Sequence, residues 1–407
     1  MELTNLEPLP ILVFSNLVMV AFLLLLGRKG LSEPYTFRPW RRYLMILTSF
    51  VFCLFSFWGT DWFHYAEMYF NILYVSGFNT SLESVYTIIA AISPNYLVFR
   101  AIIWGGALYL LCLLFKHVSV RGDLLFAIFC VLWLIDFSYG RIGLAYAMMY
   151  LGGSILMKPV KGKMLLSLML GGVLLLLSLF FHKTAFFGVA LVVLALFPRL
   201  LNKRTFVLVM IMYPFVLLLV QLLLMQFMDT AVDSSEHSSS STVGQAYLSE
   251  DTREIGPAYL LYLFLRYIPY YMVAWVAYKV NAYQPEDLEE SEIQDNPKVQ
   301  DNPGTSDDAP QPVMPREVPS EVRFFSRLTV YGVLVSTIFL FDLGANTFTL
   351  YMRFLMYGFI PACVVMGWAW QYKFRPRMVK LTFLVGMAGT FYALLYSFYV
   401  SYLGVAA

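Results

Sequence analysis

The chain has 407 residues, of which 59% are hydrophobic and only 13% charged, with a net charge of +2. A soluble domain usually carries about 25% charged residues, and polar helix faces are scarce here, so an ordinary soluble protein is excluded. The net charge says little as a total; its distribution along the chain is informative.

The first residues, MELTNLEPLP, are acidic. The apolar stretch Ile11 to Leu26 has no small-residue cleavage site after it, which predicts a retained first span. Crossing roughly 30 Å of hydrocarbon takes about 20 mostly apolar residues. Such stretches fall at 9–27, 43–59, 96–115, 124–138, 140–157, 164–181, 184–198, 206–227, 257–279, 327–343, 350–370 and 381–402. The expected fold is an all-α polytopic transmembrane bundle of about twelve spans. The four cysteines, Cys53, Cys112, Cys130 and Cys363, fall inside these spans without metal-ligand spacing and read as small packing residues.

Loops after odd-numbered spans carry Arg28, Lys29, Arg38, Arg41, Arg42, Lys116, Arg121, Lys158, Lys161, Lys163, Arg199, Lys203, Arg204, Lys373, Arg375, Arg377 and Lys380. Loops after even-numbered spans carry only Arg141, Lys183 and Arg253. Positive charge sorts to the cytoplasm, so odd loops are expected inside and both termini outside. Residues 228–256 form a Ser-rich, acidic outer loop. Residues 280–323 are rich in Pro, Asp, Glu and Gln and read as a disordered cytoplasmic linker. The chain then divides into a bundle over 1–279, the linker, and C-terminal spans of the same bundle over 324–407. No internal repeat is evident, which weighs against transporters built from duplicated halves.

The outer loop 60–95 has no Lys or Arg and is rich in aromatics. From Ser81, the residues Leu82, Val85, Ile88 and Ile89 stand at helical spacing, which predicts an amphipathic helix at the outer membrane surface.

Ionisable residues at membrane depth are costly and therefore functional candidates. Asp61, Asp136, Arg141, His182 and Arg353 all map to the outer boundary, with Arg100 and Arg266 in the outer halves of their spans. Arginine stays charged and offers a planar fork of donors, which suits phosphate or diphosphate. The collection points to an anionic ligand at the outer surface, with lipid-linked diphosphates the obvious class. Asp61 stands at i,i+3 to His64, half of a metal site, but no second half is visible. His117 and His237 fall on the cytoplasmic side and in a long loop. The many Tyr and Trp residues read mostly as an interfacial belt.

The order of motifs resembles one family. G-T-D-W-F-H-Y (59–65) comes first, then S-Y-G-R-I-G-L-A-Y-A (138–147), F-H-K-T-A-F-F (181–187) and Y-M-R-F-L-M-Y-G (351–358). This resembles the EpsG family of exopolysaccharide and capsule polymerases, related in function to Wzy O-antigen polymerases. The match runs from about residue 40 to 370; Ile142 stands where the family often has Gln, and the 280–323 insert is long.

The resemblance implies a metal-independent glycosyltransferase without cofactor in a bacterial inner membrane, with its site on the extracytoplasmic face. It would join polyprenyl-diphosphate-linked repeat units into capsule or exopolysaccharide. Its surroundings would be the bilayer, the lipid-linked glycan, a chain-length regulator and a flippase; nothing points to nucleic acid. Arg141 and Arg353 would hold the diphosphate, with Arg266 as a third and Arg100 in the same substrate-binding group. His182 or Asp61 would be the base, and Tyr65 and Trp62 would stack sugars. The rival readings are a lipid-linked oligosaccharide flippase, a membrane O-acyltransferase acting on polysaccharide, and a non-enzymatic assembly subunit.

Overall fold

The computed structural model describes residues 18–28, 39–55, 66, 69–70, 84–134, 142–160, 163–182, 185–197, 257–283, 317–338 and 355–403. The regular elements among them are all helical, and no strand occurs among the described residues. In chain order they are α1 (Val18–Arg28), α2 (Pro39–Phe55), α3 (Ser84–Ile92), α4 (Tyr96–His117), α5 (Gly122–Leu132) and α6 (Ile142–Met157). Then follow α7 (Met164–Phe181), α8 (Ala185–Leu196), α9 (Pro257–Asn281) and α10 (Ser320–Ile338). A 3₁₀ turn (Met356–Gly358) leads into α11 (Phe359–Gln371), and α12 (Pro376–Leu403) ends the fold. The span expected at 206–227 and the loop 228–256 lie outside the described residues.

Among the described residues, two helices, α4 and α7, are long and apolar enough to cross a membrane. The helix α7 is no buried core helix. Leu165, Met169, Leu176 and Phe180 form one stripe of exposed apolar side chains along its length. Water would penalise such a stripe, whereas lipid tails would not. Its opposite face packs closely on α6. A Cβ built on Gly152 would come 2.9 Å from the Gly171 carbonyl oxygen, so only glycine permits this crossing.

Several buried hydroxyls are satisfied inside their own helices. Ser49 donates to the Met45 carbonyl at 2.7 Å, Thr329 to Phe325 at 2.8 Å and Thr382 to Met378 at 2.8 Å. Such back-bonding lets polar side chains sit where no water can serve them.

One end of the bundle is fixed by a polar cluster. The Lys158 ammonium lies 3.2 Å from the Glu321 carboxylate and 2.8 Å from the Ser119 hydroxyl, which itself donates to Glu321. The His117 ring meets the Lys158 carbonyl at 2.9 Å. The Arg121 amide donates to the Gln371 side chain at 3.2 Å, and Arg323 to the Tyr283 carbonyl at 3.4 Å. Together these contacts place the ends of α4, α6, α9 and α11 beside the starts of α5, α10 and α12. From α4 to α8, and again from α9 to α12, successive helices therefore run up and down.

One boundary differs from expectation. Residues 280–283 and 317–323, assigned from sequence to the disordered linker, belong to the packed bundle, with Val280, Val318 and Val322 buried. The Glu321 pairing and these valines anchor them there. Of the surface helix expected from Ser81, α3 covers Ser84–Ile92, with Tyr86, Thr87 and Ala90 buried and Ile88 and Ile92 exposed. The Tyr86 ring packs edge-on against Phe181 at 5.8 Å.

The Glu321 cluster carries a pH prediction. Burial alone would raise its carboxyl, but hydrogen bonds from Ser119, its own backbone and Lys158, with the Lys158 charge, outweigh burial and hold it below its ordinary value of 4.5. A depressed carboxyl contributes stability above its ordinary value and loses it as pH falls through the folded value. Thermal melts in detergent should therefore show Tm falling as pH drops below the carboxyl range, with a shallower fall in Glu321→Gln. Parallel acid profiles for the two proteins would overturn this.

Candidate functional site

His182 caps the C-terminal end of α7 with extended backbone, φ −158° and ψ 124°, and is 9% exposed. Its amide donates to the Ser178 carbonyl at 3.2 Å, and its own carbonyl accepts from the Ala185 amide at 2.9 Å. These two backbone bonds link the end of α7 to the start of α8. Just before it, Phe181 receives Tyr86 of α3, so the helix from the 60–95 loop covers this end of the bundle. Tyr69 secures that cover by donating to the Ser93 carbonyl at 2.8 Å.

Arg100 lies one turn into α4 and is 7% exposed. Its Nη2 donates to the Cys53 carbonyl at 2.5 Å, and its guanidinium stands 5.8 Å from the Tyr96 ring centroid. These contacts tie the start of α4 to the end of α2. Arg266 falls within α9, three residues before the helix-internal Pro269, but its side chain is outside the described residues. Asp61, Trp62, Tyr65, Arg141 and Arg353 also lie outside them.

The elements that carry four of these residues converge. Tyr146, five residues after Arg141, stacks on Tyr357, four residues after Arg353, at 4.7 Å. Tyr150 donates its hydroxyl to the Tyr357 carbonyl. Gly188, six residues after His182, sits so close that a Cβ there would stand 2.5 Å from the Tyr357 ring and 2.5 Å from the Met149 sulfur. Tyr270, four residues after Arg266, stacks on Phe359 at 4.8 Å and lies 3.9 Å from a Cβ built on Gly358.

The layer at these contacts is filled. Trp133, Tyr146, Tyr150, Tyr270, Tyr357 and Phe359 are each at most 4% exposed. Trp133 joins it through Tyr270 at 5.9 Å, three residues before Asp136. These aromatics form one buried layer around the Met356–Gly358 turn. Reading Tyr residues as an interfacial belt hid this role. The visible signal was a Tyr at 4 or 5 residues after each of Arg141, Arg266 and Arg353.

Segments next in sequence to Arg141, His182, Arg266 and Arg353 thus meet around one buried aromatic layer. No protein-family model, curated protein or solved structure matches the chain.

Proposed function

We propose that this chain is a multi-pass inner-membrane glycosyltransferase that polymerises polyprenyl-diphosphate-linked oligosaccharide units, as the EpsG-like motif order implies. The observation that carries the reading is the convergence of the segments bearing Arg141, His182, Arg266 and Arg353 on the Met356–Gly358 turn. Short motifs far apart in sequence are expected to meet in space if they serve one site. The bundle would have about twelve spans, both termini outside and the site outward. The up-and-down order of the helices supports this topology. The helix α8 ends toward the Glu321 side and α9 runs down to it, which favours a crossing between them.

In this reading Arg141 and Arg353, with Arg266, hold the donor diphosphate. The acceptor hydroxyl oxygen attacks the anomeric carbon. The carbon–oxygen bond to the diphosphate breaks, and its electron pair leaves with the phosphate oxygen, neutralised by the arginines. His182 takes the hydroxyl proton while Asp61 orients the sugar. Tyr65 and Trp62 stack on sugar rings. A flippase would need a polar path through the bundle, and the filled aromatic layer disfavours one.

The test is polymer size in a deletion strain, read by gel and carbohydrate stain. The deletion should leave single repeat units on lipid, and the wild-type gene should restore long chains. Normal-length polymer lacking a substituent would favour an acyltransferase. Repeat units trapped on the cytoplasmic leaflet would favour a flippase.

A further inference from the structure

The Met356–Gly358 turn has a built-in defect. A helical carbonyl normally accepts from the amide four residues later. For Tyr357 that residue is Pro361, which has no N–H to give. The carbonyl lies in the bundle interior, where an unmet acceptor is costly. The structure supplies a donor from another helix: the Tyr150 hydroxyl, on a side chain 1% exposed, reaches the Tyr357 carbonyl.

We infer that Tyr150 stands in for the amide missing at Pro361 and thereby positions the chain that carries Arg353. Tyr150 is a positioning residue, acting through the turn and not on substrate. The geometry allows little else for this hydroxyl. Its ring is wedged beside Tyr146 at 6.2 Å, and Tyr146 in turn stacks on Tyr357. On the far side the α8 backbone at Gly188 abuts the Tyr357 ring. The turn is thus gripped at its ring and at its carbonyl, and Leu355, two residues after Arg353, is fully buried. Displacing the carbonyl would let the turn rotate, and Arg353 stands three residues before that turn in sequence. The inference rests on the reading of Arg353 as a diphosphate ligand.

The arrangement offers a rescue. Pro361→Ala restores an amide four residues after Tyr357, so it should replace the lost hydroxyl in Tyr150→Phe. The experiment compares wild type, Tyr150→Phe and the Tyr150→Phe/Pro361→Ala pair, all full-length. Hydrogen exchange in detergent is measured over 355–360, and polymer per molecule of membrane protein is measured in the complemented deletion strain. Tyr150→Phe should speed exchange of these amides about tenfold, leave other helices unchanged, and lower polymer per molecule about tenfold. The double variant should restore both. Unchanged exchange in Tyr150→Phe, or faster exchange throughout the bundle, overturns the inference. So does local loosening with normal polymer when Arg353→Ala abolishes it. If Arg353→Ala also makes normal polymer, the polymerase site is wrong, while the exchange result still decides whether the hydroxyl holds the turn.

Discussion

Replacing His182 with Ala should reduce polymer to single lipid-linked units while the protein stays in the membrane at normal amount. The backbone of His182 makes the two hydrogen bonds that close the α7–α8 turn, and alanine keeps both. What is lost is the imidazole, the side chain suited to carry a proton near neutral pH. Removing a general base typically costs about 10²- to 10⁴-fold in rate. His182→Gln keeps the size and a hydrogen-bond donor but cannot take the proton, so it should fail as well. Arg141→Ala should fail for a different reason, because the departing diphosphate loses its counter-charge. Wild-type chain lengths from both His182→Ala and Arg141→Ala would remove these residues from the site.

The second large effect is expected at Gly188. An added Cβ there meets the Tyr357 ring and the Met149 sulfur at 2.5 Å each, closer than any real Cβ contact. Met149 can shift, but Tyr357 is held by Tyr146 and Tyr150. Gly188→Ala should cost about 1–3 kcal/mol from overpacking and displace the turn after Arg353, so thermal stability and polymer yield should fall together. Gly172 is the control. It lies on α7 with nothing within 4 Å of a built Cβ. Gly172→Ala should raise stability by about 0.5–1 kcal/mol through reduced backbone freedom. Equal melting temperatures for the two alanine variants would contradict the packing described.

The helical character of the chain was legible because long apolar runs have few alternatives to helix. The positions of α4 and α7 followed closely from composition. The burial of Tyr86 in α3 was not legible, because only its contact with Phe181 shows it. Arg100 was read alongside the other arginines, since sequence cannot show that its guanidinium is engaged with Cys53 and Tyr96. Lys158 was read only as an orientation charge and His117 was set aside. The meeting of Lys158 with Glu321 joins residues more than 160 positions apart, which no local pattern encodes, and His117 meets Lys158 in turn. The aromatic layer was hidden for the opposite reason: tyrosines are common in this chain, and only contact distinguishes Tyr357 from the rest.

The ends of the acidic insert have a consequence for chain entropy. Tyr283 and Arg323 touch through a hydrogen bond, and Tyr283 also packs against Phe374, so the chain on either side of 284–316 is held within the bundle. The cost of closing a loop rises only with the logarithm of its length, about 0.6 kcal/mol per doubling. Because both ends are fixed by contacts within the bundle, the insert can grow or shrink without altering the bundle's own geometry. Selection on its length and charge is thereby uncoupled from selection on the fold.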